Sequence, residues 1–176
     1  NLVLSHQQTE SLLGSGSIYH CNFTVSVGGG RAIEKAAAGT FMTLGLELGG
    51  KDALIVLDDA DIERAVNAAT FGSFMHQGQI CMSTERIIVE RKIADEFTDK
   101  LKQRAEALPV GDPTNPGTVI GPLINRRAVD KVHSHVEEAV AAGARLVTGG
   151  GYDNNVYRPT VVAGVQPTMK LFTDQT

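Results

Sequence analysis

Short apolar runs alternate with helix-period stretches along this chain, and that alternation constrains its fold more than any other feature. His20–Thr24, Thr43–Glu47, Ala53–Leu57, Arg86–Glu90 and Arg145–Thr148 have the length and composition of strands. Between them Ile62, Ala65, Val66 and Ala69 recur at helical spacing, as do Ile93, Phe97, Leu101, Ala105 and Leu108, and Val129, Val132, Val136 and Val140. Strands separated by helices pair in parallel, because a crossover long enough to hold a helix returns the next strand in the same direction. The pattern predicts an α/β fold with a mainly parallel sheet.

The punctuation fits that reading. Gln8–Leu13 is expected to be a short helix. Gly28, Gly29 and Gly30 are expected to form a turn after the first strand, leading into a helix through about Ala38. Backbone N–H groups at such a helix start face outward and suit an anion. Asp58 or Asp59 is placed to cap the next helix, with Asp61 and Glu63 in its first turn. That helix should end before Gly78, leaving Cys81 in or beside a glycine-flanked loop. Gly111–Pro122, rich in proline and glycine, reads as a loop, and Gly143 suits the position after a helix C-terminus. Gly149–Gly151 turns the chain toward a last strand over Tyr157–Val162.

Composition excludes several classes. With 176 residues and 42% hydrophobic content, the chain can bury the core of one domain, or one and a half. A net charge of −4 and the lack of a basic block argue against nucleic acid, which requires clustered Lys and Arg. No apolar run approaches the roughly 18 residues of a membrane span, and no secretory signal is expected. Cys21 and Cys81 are therefore expected to be free thiols in a reducing cytoplasm. The opening at Asn1 and the close at Thr176 predict a piece of a longer protein.

Two residues carry the chemistry. Cys81, in Gln77-Gly78-Gln79-Ile80-Cys81, supplies a thiol that can attack a carbonyl. Glu47, in Leu46-Glu47-Leu48-Gly49-Gly50-Lys51, supplies a carboxylate in apolar surroundings that can act as a general base. Together they suggest covalent chemistry on an aldehyde through a thioester that is then hydrolysed. Taken singly, each has a plainer reading. A lone cysteine is usually a small buried hydrophobe, which is the default for Cys21, and a lone glutamate is usually solvated. The three glycines are not the G-x-G-x-x-G dinucleotide fingerprint. His76 either tunes Cys81 or merely caps and packs. His133 and His135, two apart on a helix, face different ways, so no metal site is expected.

In combination these runs resemble the aldehyde dehydrogenase superfamily, over nearly the whole chain from about Asn22. Asn22-Phe23-Thr24 is similar to the strand entering that family's nucleotide turn, Leu46–Lys51 to its glutamate motif, and Gly78–Cys81 to its cysteine motif. Val110–Pro113, Gly121–Leu123 and Pro159–Val161 are similar to three of its loops, in the right order. The stretch from His76 to Arg86 looks most like members acting on aromatic aldehydes such as benzaldehyde, vanillin or salicylaldehyde.

The resemblance implies a parallel-sheet catalytic domain over residues 47–176, incomplete here, and the tail of a Rossmann-like NAD(P)-binding domain over residues 1–46. Cys81 would be the nucleophile, forming a thiohemiacetal that becomes a thioester as hydride leaves for NAD, or NADP. Its backbone N–H would be half of an oxyanion hole, and Glu47 would activate the hydrolytic water. Ser26 would contact the cofactor pyrophosphate, Gly49 would lie near the nicotinamide, and Thr24 and Gly30 would complete the cofactor contacts. Ile80 and Met82 would line the aldehyde pocket. The full-length protein is expected to be a homodimer or homotetramer.

There is one departure. The family's turn commonly reads Gly-Ser-Thr-x-Val-Gly, whereas positions 25 to 30 read Val-Ser-Val-Gly-Gly-Gly. A β-branched Val25 in place of glycine would crowd the cofactor or strain the turn. That departure leaves room for a cofactor-independent cysteine esterase or thioesterase using the same pair. Because a fold does not guarantee activity, a third reading is a non-catalytic structural or binding protein on this fold.

Overall fold

The Ser26 hydroxyl ends the first strand and begins the helix that follows it. The computed structural model describes every residue from Asn1 to Thr176, and the chain divides into two units, Asn1–Gly50 and Lys51–Thr176. In the first unit, β1 (His20–Thr24) leads to α2 (Val27–Ala37), and Ser26 Oγ accepts the Gly29 N–H at 3.2 Å. The expected glycine turn is therefore the first turn of the helix itself: with a serine cap in place, helical geometry starts at Val27. β2 (Thr43–Glu47) pairs with β1 in parallel, from His20 opposite Thr43 to Thr24 opposite Glu47. Ahead of them, α1 (His6–Gly14) is held by a reciprocal cap, Gln8 N–H to Ser5 Oγ and Ser5 N–H to Gln8 Oε1 at 2.9 Å. Leu13, Ile33 and Ala37 are the buried apolar side chains of this unit.

The second unit repeats the crossover. β3 (Asp52–Val56) pairs in parallel with β4 (Thr84–Val89), and α3 (Ile62–Phe74) and α4 (Ala94–Glu106) contribute to the core beneath them. That core gathers Val56, Val66, Ala69, Phe97 and Leu101, and burying each large member stabilises by about 1.5–3 kcal/mol. The apolar run of β3 is not buried throughout: Ile55 is exposed and its register partner Ile88 is too. Each parallel pair here has only two strands, and helices cover one face. The cap of α3 is Asp61, which accepts the Arg64 N–H at 3.1 Å, not Asp58 or Asp59. Asp58 instead pairs with Lys92 beyond β4.

Gly111–Pro122 is a loop, closed by a bridge between Val110 and Ile120. Asn125 caps α5 (Arg126–Ala141) through the Ala128 N–H at 3.0 Å, and Gly143 leaves it with φ 100°. The strand expected over Tyr157–Val162 is interrupted. Its first residue belongs to a hairpin of β6 (Tyr152–Asp153) and β7 (Val156–Tyr157), and its last two to β8 (Val161–Ala163), antiparallel to β5 (Arg145–Thr148). Pro159 lies at the break, where the missing N–H cannot join a ladder, and Thr160 Oγ1 there accepts the Gly150 N–H at 2.9 Å. The sheets are thus mixed. α6 (Lys170–Thr173) follows, and Met169 packs with Ala139 and Ala144. No helix is long and apolar enough to cross a membrane.

Candidate active site

The two residues read as chemical fall in different units, Glu47 in the first and Cys81 in the second. In the first unit, parallel pairing places the ends of β1 and β2 side by side. Thr24 stands opposite Glu47, and the Val25 N–H donates to the Glu47 carbonyl at 2.9 Å. Thr24, Ser26 and Glu47 thus lie at the carboxyl edge of one strand pair, the edge at which open α/β sheets bind ligands. Glu47 is the last residue of β2, and its side chain is exposed rather than embedded among the leucines.

The helix start beside this edge fits an anion. The N–H groups of Val27 and Gly28 have no acceptor within the helix, because they belong to its first turn. The next, on Gly29, is taken by Ser26. Nothing lies within 4 Å of where a β-carbon on Gly28 would stand, so a ligand has room to approach. On the opposite side Gly30 is buried, and a β-carbon there would meet Leu48 Cδ2 at 2.9 Å. Gly30 therefore serves helix-to-strand packing rather than an open face. Gly49 is half-buried beyond Leu48.

In the second unit Cys81 lies in a turn between α3 and β4, and its side chain is exposed. Its N–H makes no hydrogen bond within the chain. Met82 is 74% exposed, Ile80 is half-buried, and the Ile80 carbonyl accepts the Ser83 N–H at 3.0 Å. The loop is reached through three successive left-handed residues, His76 (φ 51°), Gln77 (φ 57°) and Gly78 (φ 72°). For the two that are not glycine this costs roughly 1–2 kcal/mol each. His76 is exposed and contributes its carbonyl, which accepts the Gln79 N–H at 3.0 Å. Two grooves run past the loop, one along Lys51, Ser83 and Glu85 and the other along Phe71, Met75 and His76. Neither is lined by Ile80, Cys81 or Met82.

The strand leaving the loop is anchored by charge. Lys51 Nζ pairs with Glu85 Oε2 at 2.6 Å, and both side chains are close to nine-tenths buried, at 9% and 11% exposure. The Arg86 guanidinium donates to the Lys51 carbonyl at 2.6 and 3.0 Å and stacks over Phe172. Sequence reasoning missed this network. Lys51 was visible only as the end of a motif, and nothing in its spacing points to Glu85. The two histidines of α5 face different partners. His133 packs edge-on to Tyr152 and bonds Tyr157 Oη at 3.2 Å, whereas His135 is buried and bonds Thr176 Oγ1 at 3.0 Å. Burial pushes the Tyr157 hydroxyl up to about 12.

Comparison with known proteins places the chain in a family. The model of the aldehyde dehydrogenase family matches residues 1–176. Vanillin dehydrogenase of Pseudomonas fluorescens is 43% identical over 96% of this chain and 35% of its own length. Benzaldehyde dehydrogenase [NAD(+)] of Pseudomonas putida is 42% identical over 93% of this chain and 34% of its own. A crystal structure of a salicylaldehyde dehydrogenase from Pseudomonas putida G7, complexed with salicylaldehyde, superposes with a TM-score of 0.90 at 41% identity, covering 95% of this chain and 36% of that one. The chain thus spans about a third of the length of the relatives it matches. With its α/β crossovers and its cysteine and glutamate motifs, the chain belongs to the aldehyde dehydrogenase family.

Proposed function

We propose that the protein containing this chain oxidises an aromatic aldehyde to the carboxylic acid with NAD. The observation that carries the reading is the exposed Cys81 thiol in its turn after α3, in a chain whose relatives include vanillin and benzaldehyde dehydrogenases. Cys81 attacks the aldehyde carbon through its thiolate, and its backbone N–H is free to face the oxygen that gains charge. NAD, when bound, supplies the hydride acceptor. Glu47 takes a proton from the water that hydrolyses the thioester, and its exposed position at the end of β2 suits that task. Ile80 and Met82 offer apolar surface on either side of the thiol.

Ser26, Thr24 and Gly49 belong in this reading to the cofactor side, with Gly30 seating the start of α2 against Leu48. Residues 1–46 are in this reading the closing part of the cofactor-binding domain, and residues 47–176 are part of the catalytic domain. The open, serine-capped start of α2 supports cofactor use over a cofactor-independent hydrolase. We place the protein in the cytoplasm, where the Cys81 thiol stays reduced, as a homodimer or homotetramer.

The test follows nicotinamide reduction by the full-length protein with benzaldehyde, vanillin, salicylaldehyde and a straight-chain aldehyde. Reduction favouring the aromatic substrates, and abolished in Cys81→Ala, is the expected result. Undiminished reduction in Cys81→Ala sinks the nucleophile assignment, and preference for the straight-chain substrate sinks the aromatic one.

A further inference from the structure

The loop that presents Cys81 is held from outside itself. A run of left-handed residues that includes His76 and Gln77 persists only where neighbouring groups over-determine it. The neighbours here are two glutamine side chains and the segment between α4 and α5. Gln79 Oε1 accepts the Ile124 N–H at 2.9 Å. Gln79 also donates its own N–H to the His76 carbonyl at 3.0 Å, so one residue ties the left-handed run to the second segment. Gln77 forms the matching tie. With its amide turned to satisfy both sides, it accepts the Gly121 N–H at 3.1 Å and donates to the His76 carbonyl at 3.2 Å. Gly121 and Leu123 are buried in that segment, and Leu123 packs with Val129 and Tyr157, so the anchor belongs to a core.

We propose that Gln77 and Gln79 are positioning residues, fastening the nucleophile loop to Gly121–Ile124 and thereby setting where the Cys81 thiol stands. The proposal rests on the reading of Cys81 as the nucleophile. Both glutamines act through the backbone: their side-chain amides bond the Ile124 and Gly121 N–H groups, and each satisfies an N–H that the 121–124 segment leaves without a partner of its own. A loop released from these ties keeps its thiol but loses the fixed geometry on which attack depends.

The experiment uses the full-length protein with NAD and an aromatic aldehyde. Gln79→Met keeps the length of the side chain and removes the acceptor, whereas Gln79→Glu keeps an acceptor for the Ile124 N–H. Gln79→Met is expected to lower kcat about tenfold, with NAD affinity by calorimetry and the melting midpoint unchanged. Gln79→Glu is expected to recover most of the loss, and Gln77→Met to lower kcat in the same direction. Wild-type kcat in both methionine variants overturns the proposal. So does failure of Gln79→Met to fold, or a parallel fall in stability and NAD affinity, because the ties would then serve the fold and not the thiol. Loss in Gln79→Met without recovery in Gln79→Glu overturns it as well. Cys81→Ala separates the two claims. If that variant stays active, the nucleophile reading falls; if it is dead while the glutamine variants match wild type, only the positioning claim falls.

Discussion

Val25 fills the space that a side chain at Gly29 would need. A β-carbon on Gly29 would fall inside van der Waals contact of Val25 Cγ2, and 3.4 Å from Val25 Cβ. The departure at positions 25 and 29 is thus one exchange: apolar bulk has moved from the first turn of α2 to the residue after β1. Val25 is half-buried over Gly29, while the anion-facing side at Gly28 stays open. The crowding expected of a β-branched residue at 25 is directed inward, at Gly29.

Gly29→Ala is therefore expected to destabilise the full-length protein by about 1–3 kcal/mol through overpacking against Val25. Combining Val25→Gly with Gly29→Val should recover stability, giving a coupling of roughly 0.5–3 kcal/mol in a double-mutant cycle. Denaturant midpoints measure the cycle, and NAD titration of the same proteins tests whether the turn keeps its affinity. Additive single and double effects would show that the two positions do not share the space.

Lys51 and Glu85 form a pair in which removing one partner costs more than the pair is worth. Both side chains are nearly buried, and Glu85 Oε2 also accepts the Thr176 N–H at 2.8 Å. Lys51→Met strands a buried carboxylate and should cost about 3–5 kcal/mol. Changing both residues to methionine should restore most of that loss, because no charge is left unpaired. A Lys51→Met protein with a wild-type unfolding midpoint would show that water reaches Glu85.

Much of this fold was legible in the sequence, because the signals were local. β1, β2 and β5 have the bounds that their apolar runs predict, and Phe97, Leu101 and Ala105 are buried at the spacing that marks α4. The errors lie where a long-range partner decides. Tyr157–Val162 reads as one strand, but Tyr157 pairs with Tyr152 and Val161 with Thr148, and Pro159 parts them. The apolar character of Thr43–Glu47 does not reveal that Glu47 emerges at the strand end. For the candidate site, the motifs pointed to Cys81 and Glu47 one by one. The ties from Gln77 to Gly121 and from Gln79 to Ile124 join segments far apart in sequence, and no local pattern announces them.

Asp61 shows how a one-turn difference in a cap becomes testable. Of the acidic residues before α3, only Asp61 accepts a first-turn N–H, from Arg64. Asp61→Ala should cost about 1 kcal/mol. Asp59→Ala should lie within about 0.5 kcal/mol of wild type, as surface changes usually do. Chemical denaturation compares the two, and a larger loss for Asp59→Ala would move the cap.

His135 makes stability depend on pH in a definite direction. It is buried on α5, and burial, with help from Lys131, holds its imidazole below the usual histidine range, against the opposing pull of Asp174 and Glu138. With the folded value depressed, the unfolded chain binds more protons through this group as pH falls, so stability rises with pH. The contribution is fully present above about 6.5, the ordinary histidine value, and is lost as pH drops from there toward the lower folded value. Melting midpoints of the full-length protein between about pH 5 and pH 8 should fall on the acid side. They should fall less steeply in His135→Gln, which keeps a polar group near Thr176 and cannot titrate. Identical slopes for the two proteins would mean that His135 is as readily protonated folded as unfolded.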